Sequence, residues 1–169
     1  SQTLPIPDHT VGMKLVLEAL VDPEHGVLKT FDDIEAVGHR IVQGAEKFSE
    51  PCLVTDEVIQ TIDDLSVLAP AHNKAHAIGL RSAKEVFGTE VPNVVVFDTA
   101  FHATMPPKAY MYAVPYEFYE KHAIRRYGFH GTSHKFVSRA AAEYLGKKPE
   151  ELKLLKKFRN QLKNKKNLF

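Results

Sequence analysis

The stretch VPNVVVFDTAF, Val91–Phe101, decides how the rest of the chain is read. Val94, Val95, Val96 and Phe97 make an unbroken apolar run that ends on Asp98. A short run of β-branched and aromatic residues without polar alternation predicts a strand buried inside a parallel sheet. The acid at its carboxyl end stands where open α/β sheets place ligands. IEAVGHRIVQG, Ile34–Gly44, is also rich in β-branched residues, alternates, and predicts a neighbouring strand that carries His39 and Arg40.

Helices are expected between and around these strands. PDHTVGMKLVLEALVD spaces Val11, Leu15, Leu17, Leu20 and Val21 at helical intervals, with Asp8 or Thr10 to cap it. TDEVIQTIDDLSVLAP opens on Thr55 followed by acids and stops at Pro70. NKAHAIGLRSAKEVFG closes on Gly88, and GTSHKFVSRAAAEYLG closes on Gly146. PYEFYEKHAI predicts a further short helix. Helices alternating with buried strands make an α/β fold.

The composition is that of a globular protein, with 44% hydrophobic and 25% charged residues over 169 positions. No apolar run reaches the length of a membrane span and no signal peptide is recognisable, so the expected compartment is the cytoplasm. Cys52 is the only cysteine, which rules out an internal disulfide and a cysteine-built zinc cage. The net charge of +1 conceals an asymmetry: the seven Lys and Arg residues from Lys153 to Lys166 have no acid among them, and the remainder is acidic. A basic tail attracts nucleic acid or anionic lipid. No aromatic interleaving or groove-reading motif accompanies it here, so neither nucleic acid nor membrane is an expected partner.

Several residues carry candidate chemistry. Asp98 faces a cleft or caps a turn through Thr99. Arg40, in an apolar strand, needs an anion, either a ligand or a protein carboxylate. His72, between Pro70 and a helix, fits a cap or core position as well as a ligand contact. RRYGFHGTSH, Arg125–His134, gathers two arginines and two histidines ahead of a helix that opens on Gly131, Thr132 and Ser133. Free N–H groups at such a helix start favour an anion. His130 and His134 are one helical turn apart, but with no Glu between them they match no zinc motif. Cations and imidazoles of this kind suit a transferring phosphoryl group, whose charge needs donors more than covalent chemistry.

VVVFDTAFHATMP together with YAVPYEFYEKHAIRRYGFHGTSHKFV resembles the acetate kinase family, the acetate- and propionate-type acyl kinases. VGHRIVQGAEKF and LAPAHN stand in the expected order before them, so that the likeness runs over residues 8–155. It implies the actin-like, ribonuclease-H-like ATPase fold in incomplete form: part of a first domain over residues 1–98, the start of a second over 99–155, and a basic tail, 156–169, unlike the family. It further implies transfer of a phosphoryl group from ATP to acetate or another short carboxylate, with Mg2+, to give ADP and acetyl phosphate. By this resemblance Arg40 binds substrate, Asp98 is the active-site aspartate and His130 stabilises the transition state. Val42 and Phe129 line the acyl pocket, His72 lies in the substrate site, and His134 supports it.

The departures carry expectations of their own. The family's phosphate loops, second arginine, adenosine site and magnesium-binding glutamate have no counterpart in these residues. The isolated chain is therefore expected not to turn over, the alternative being a folded, inactive fragment that keeps anion binding or a dimer surface. An uncovered sheet edge predicts a homodimer or larger oligomer. Where the family has His-Gly-Gly, the chain has Gln43-Gly44-Ala45, and Ala adopts a positive φ less readily than Gly. Ala71 stands where a larger apolar residue is usual, which widens the acyl pocket.

Overall fold

The computed structural model describes residues 3–152; the basic tail lies outside the described residues. The chain divides into two compact units, Ser1–Gly131 and Thr132–Phe169.

The first unit is built on a three-stranded sheet of order β1-β3-β2. β3, Asn93–Phe97, is central as expected, and β1, Val37–Ile41, runs parallel to it with Arg40 opposite Val96 and Ile41 opposite Phe97. β2 is only Cys52–Leu53 and pairs antiparallel, Cys52 against Val95. The sheet is therefore mixed, where the apolar run predicted a parallel one. Burial along β3 alternates: Val95 and Phe97 are buried, Val94 and Val96 half-buried. Two helices cover the face to which Val95, Phe97 and Ile41 point. α2, Asp56–Asp64, contributes Ile59 and Ile62, and α3, Asn73–Phe87, contributes Ala77 and Leu80. Each of these larger side chains stabilises the fold by roughly 1.5–3 kcal/mol when taken out of water. Phe48 closes the layer by stacking on Phe97, centroids 4.2 Å apart.

The helices begin and end where their chemistry directs. Asp8 accepts from the N–H of Val11 at 2.8 Å and starts α1, His9–Leu20. Thr55 does the same for α2 through the N–H of Val58. α3 stops at Gly88, which takes φ +68°. α1 packs on α3, and the Thr10 hydroxyl donates to Ser82 at 2.9 Å. The expected short helix is α5, Glu117–His122; ahead of it the Met-Pro-Pro stretch forms a one-turn helix, α4, Pro107–Tyr110, with Pro107 at its first position. α6, Gly131–Tyr144, ends two residues before Gly146, which adopts φ +64°. Beyond it the second unit has a 3-10 turn at Pro149–Glu151, where the Glu151 carboxylate accepts from the Lys148 N–H. No helix among the described residues is long and apolar enough to cross a membrane.

Candidate active site

Strand register alone puts two of the candidate residues side by side. Arg40 lies opposite Val96, and Asp98 is two residues further along β3's path, so both side chains leave the sheet on the face away from Ile41, Val95 and Phe97. The hydrogen bond from the Asp98 N–H to the Ile41 carbonyl, 2.9 Å, extends the β1–β3 pairing as far as the acid. The two side chains then meet as a bidentate pair: Arg40 Nε donates to Asp98 Oδ1 at 2.9 Å and Nη2 to Oδ2 at 2.7 Å. Asp98 is 2% exposed and the Arg40 side chain 60% exposed, so the carboxylate sits under a guanidinium that still faces solvent. Burial pushes the Asp98 carboxyl up, but the hydrogen bonds and charge of Arg40, with the His130 N–H, outweigh it and hold the group below the usual carboxylate range.

His130 completes the cluster. Its Nδ1 lies 3.3 Å from Arg40 Nη2 and 4.0 Å from Asp98 Oδ2. A guanidinium only donates, so in this contact Nδ1 is the acceptor, which leaves Nε2 as the ring's donor. The loop that presents His130 is held in an uncommon shape. Gly128 takes φ +73° and His130 φ +55°. A Cβ on Gly128 would stand 2.5 Å from the His102 ring, whose Nε2 bonds to the Phe129 carbonyl at 3.1 Å. Gly131 donates to the Asp98 carbonyl at 2.9 Å, and a Cβ there would come within 2.4 Å of that oxygen. A left-handed non-glycine residue at such a place is strain that the surrounding contacts must sustain.

The remaining candidates are carried by separate segments. Val42 is half-buried just past β1, and Phe129, 38% exposed, is adjacent to His130 in sequence. His72 is the residue before α3, with no hydrogen bond from its side chain to the helix end. His134 lies on α6, in the second unit. His76, one turn along α3 from His72, was not singled out in the sequence. Its Nε2 is buried without a hydrogen-bond partner, and burial, then the charges of His72 and Arg40, hold its imidazole below the ordinary range.

The arginines of RRYGFHGTSH do not join the cluster as donors, a correction to the sequence reading. Arg125 pairs with Glu46 and lies over the Tyr110 ring at 3.6 Å. Tyr119 also donates to Glu46, and its hydroxyl is pushed up to about 12, first by its bond with Tyr110. Arg126 donates to the Ala109 carbonyl at 2.8 Å. Both guanidiniums are spent on fastening the α4–α5 segment. Glu46 and Ala109 lie 79 and 17 positions away in sequence, so the pattern of cations alone misled.

Three buried polar residues meet at the end of β1 in a role that the sequence reading did not give them. Gln43 is 1% exposed, Asn73 0% and Thr99 3%. They hydrogen-bond the backbone that follows Arg40, and only the asparagine at a helix start, in LAPAHN, offered a signal. Among the described residues no three His, Cys, Asp or Glu side chains gather closely enough to hold a metal ion.

Comparison with known proteins gives a consistent result. The Acetokinase family model matches residues 1–158. The acetate kinase of Thermotoga petrophila is 58% identical over 150 residues, covering 89% of this chain and 37% of that protein. The acetate kinase of Clostridium acetobutylicum is 56% identical over 151 residues, with the same coverage of 89% and 37%. Among solved structures, Porphyromonas gingivalis acetate kinase superposes with a TM-score of 0.81 at 44% identity, over 86% of this chain and 36% of that one. A propionate kinase from Francisella tularensis gives 0.78 at 41% identity, over 87% and 37%. The chain thus spans a little over a third of the length of these relatives, and its mixed α/β architecture is the corresponding part of their actin-like ATPase fold.

Proposed function

The chain belongs to the acetokinase family, and on that premise we propose that it forms the acyl-binding end of a site where ATP phosphorylates acetate, or another short carboxylate such as propionate, to acetyl phosphate or its homologue. The observation that carries this reading is the convergence of Arg40, Asp98 and His130 from three separate parts of the sequence.

Acetate needs no general base, because carboxyl groups ionise near pH 4. The Arg40 guanidinium has five N–H donors and gives one edge to Asp98; its remaining donors, on the solvent side, hold the substrate carboxylate. Asp98 acts as an orienting anion, keeping Arg40 and His130 aimed. A carboxylate oxygen of the substrate attacks the γ-phosphorus, the bond to the β–γ bridging oxygen breaks, and ADP leaves with that electron pair. Charge spreads over the transferring group, and in this reading the Nε2–H of His130 donates to one of its oxygens. Val42 and Phe129 take the methyl group, and His72 supports the site. Magnesium, when bound with the nucleotide, neutralises phosphate charge. The nucleotide and metal contacts belong to the part of the family's length beyond these residues. In this reading residues 1–98 belong to the first lobe and 99–155 open the second. The enzyme works in the cytoplasm as a homodimer or larger oligomer.

The test is a graft. Residues 8–151 replace the matching segment of the Thermotoga petrophila acetate kinase, and acetyl phosphate is trapped as the hydroxamate. The expected result is turnover in the graft that is lost with Asp98→Asn. A folded graft without turnover overturns the reading and favours an inactive chain that keeps only the fold.

A further inference from the structure

The backbone just past Arg40 presents three consecutive N–H groups, and each is met by a side chain. Gln43 N–H donates to Asn73 Oδ1 at 3.2 Å, Gly44 N–H to Thr99 Oγ1 at 3.1 Å, and Ala45 N–H to Gln43 Oε1 at 2.8 Å. Asn73 returns the contact, donating from Nδ2 to the Gln43 carbonyl at 2.9 Å and to the Ile62 carbonyl at 3.1 Å. The strand exit is thus tied to α2, to α3 and to the residue that follows Asp98.

We propose that Thr99 and Asn73 are positioning residues of this site, holding residues 43–45 so that Arg40 keeps its two-bond alignment with Asp98; this rests on the function proposed above. The loops after β1 and β3 are joined at two points, Ile41 O to Asp98 N and Gly44 N to Thr99 Oγ1, which bracket Val42. Only glycine lets the second join form: a Cβ on Gly44 would stand 2.7 Å from the Phe97 ring and 3.1 Å from the Thr99 hydroxyl. Without that hydroxyl the Gly44 N–H is buried and unsatisfied, a costly state that the segment relieves by moving toward water. Val42 and Arg40 move with it. Asn73 works from the other side, since its amide pairs with both backbone groups of Gln43 much as a neighbouring strand would.

Thr99→Val removes the acceptor at nearly constant volume, and Thr99→Ser retains it; Thr99→Ala replaces the valine variant if that one does not fold. The protein at its full natural length is labelled at arginine, and the Arg40 Nε–H resonance, shifted by its bond to Asp98, is followed by NMR beside kcat and KM for acetate. The expected result is that Thr99→Val moves the resonance toward that of an unpaired arginine and lowers kcat roughly ten- to hundredfold, more than it changes KM. Thr99→Ser restores both. Ile59→Val, a core change on α2 outside the network, lowers thermal stability and leaves both readouts in place. A folded Thr99→Val protein with an unmoved Arg40 resonance, or with unchanged kcat in an active enzyme, overturns the proposal. A resonance that moves and is restored by serine, in a protein that makes no acetyl phosphate, upholds the positioning role and sinks the proposed function instead.

Discussion

Asp98 and Arg40 divide the work of one ion pair unequally, and pH separates their shares. The Asp98 carboxyl is held below the ordinary carboxylate range, so the folded state binds its proton less readily than the unfolded chain does. Its contribution to stability is complete above that ordinary range and is lost as the pH falls through the lowered value. The difference in unfolding free energy between the native protein and Asp98→Asn is therefore expected in full at about pH 7 and shrinking below about pH 4, as read from urea unfolding at each pH. A difference that stays constant into acid contradicts the assignment. His130 and Arg40 separate in kinetics. A single oriented donor to a transition state is worth about two to three orders of magnitude in kcat, so on the proposed function His130→Ala at the protein's full natural length is expected to lower kcat by that much with KM for acetate little changed. Arg40→Ala is expected to raise KM, because in the proposed function the guanidinium also holds the ground-state carboxylate. The opposite split exchanges the two roles.

The segment Gln43-Gly44-Ala45 shows what a strand exit can and cannot reveal in advance. Ala45 adopts φ +48°, a conformation that alanine takes less readily than glycine. Left-handed geometry costs an alanine roughly 1–2 kcal/mol, and glycine returns part of that gain in unfolded-state entropy. Ala45→Gly is expected to stabilise the protein by a net of about 0.5–1 kcal/mol, and Gly44→Ala to destabilise it by about 1–3 kcal/mol through overpacking against Phe97. Both appear as opposite shifts of the urea midpoint, and shifts of the same sign refute the strain argument. The helices and the two longer strands were readable because their periodicity and caps are local: Asp8, Thr55 and Gly88 each act on their own turn. β2 was not, because two residues carry no period and Cys52–Leu53 is defined only by pairing with β3. The pairing of Arg125 with Glu46 was equally invisible, since 79 positions separate the partners. Arg40 and Asp98 were identifiable as charged residues on apolar strands, but that they satisfy one another follows only from register.

The sheet of the first unit leaves β1 with one strand neighbour among the described residues, and its Gly38 and Arg40 positions are exposed. An exposed strand edge is a template for further pairing. The 169-residue chain, prepared alone, is expected to associate, its mass in light scattering rising with concentration. A constant monomer mass over the same range shows that the edge is protected. The comparisons span a little over a third of the relatives' length, and the candidate cluster lies within that third.

The separation of the site residues has a consequence for biosynthesis. Arg40 precedes its partner His130 by 90 positions. At ribosomal rates of 5–20 residues per second, a newly made Arg40 waits about 5–18 s before His130 is even polymerised. Throughout the first part of that interval β1 lacks β3, its strand neighbour among the described residues, because β3 is made long after it. The nascent chain therefore carries β1 without that partner, and Ile41 without its place in the core, for seconds. Synonymous codon changes that slow translation between β1 and β3 lengthen that exposure without altering a single residue of the finished protein.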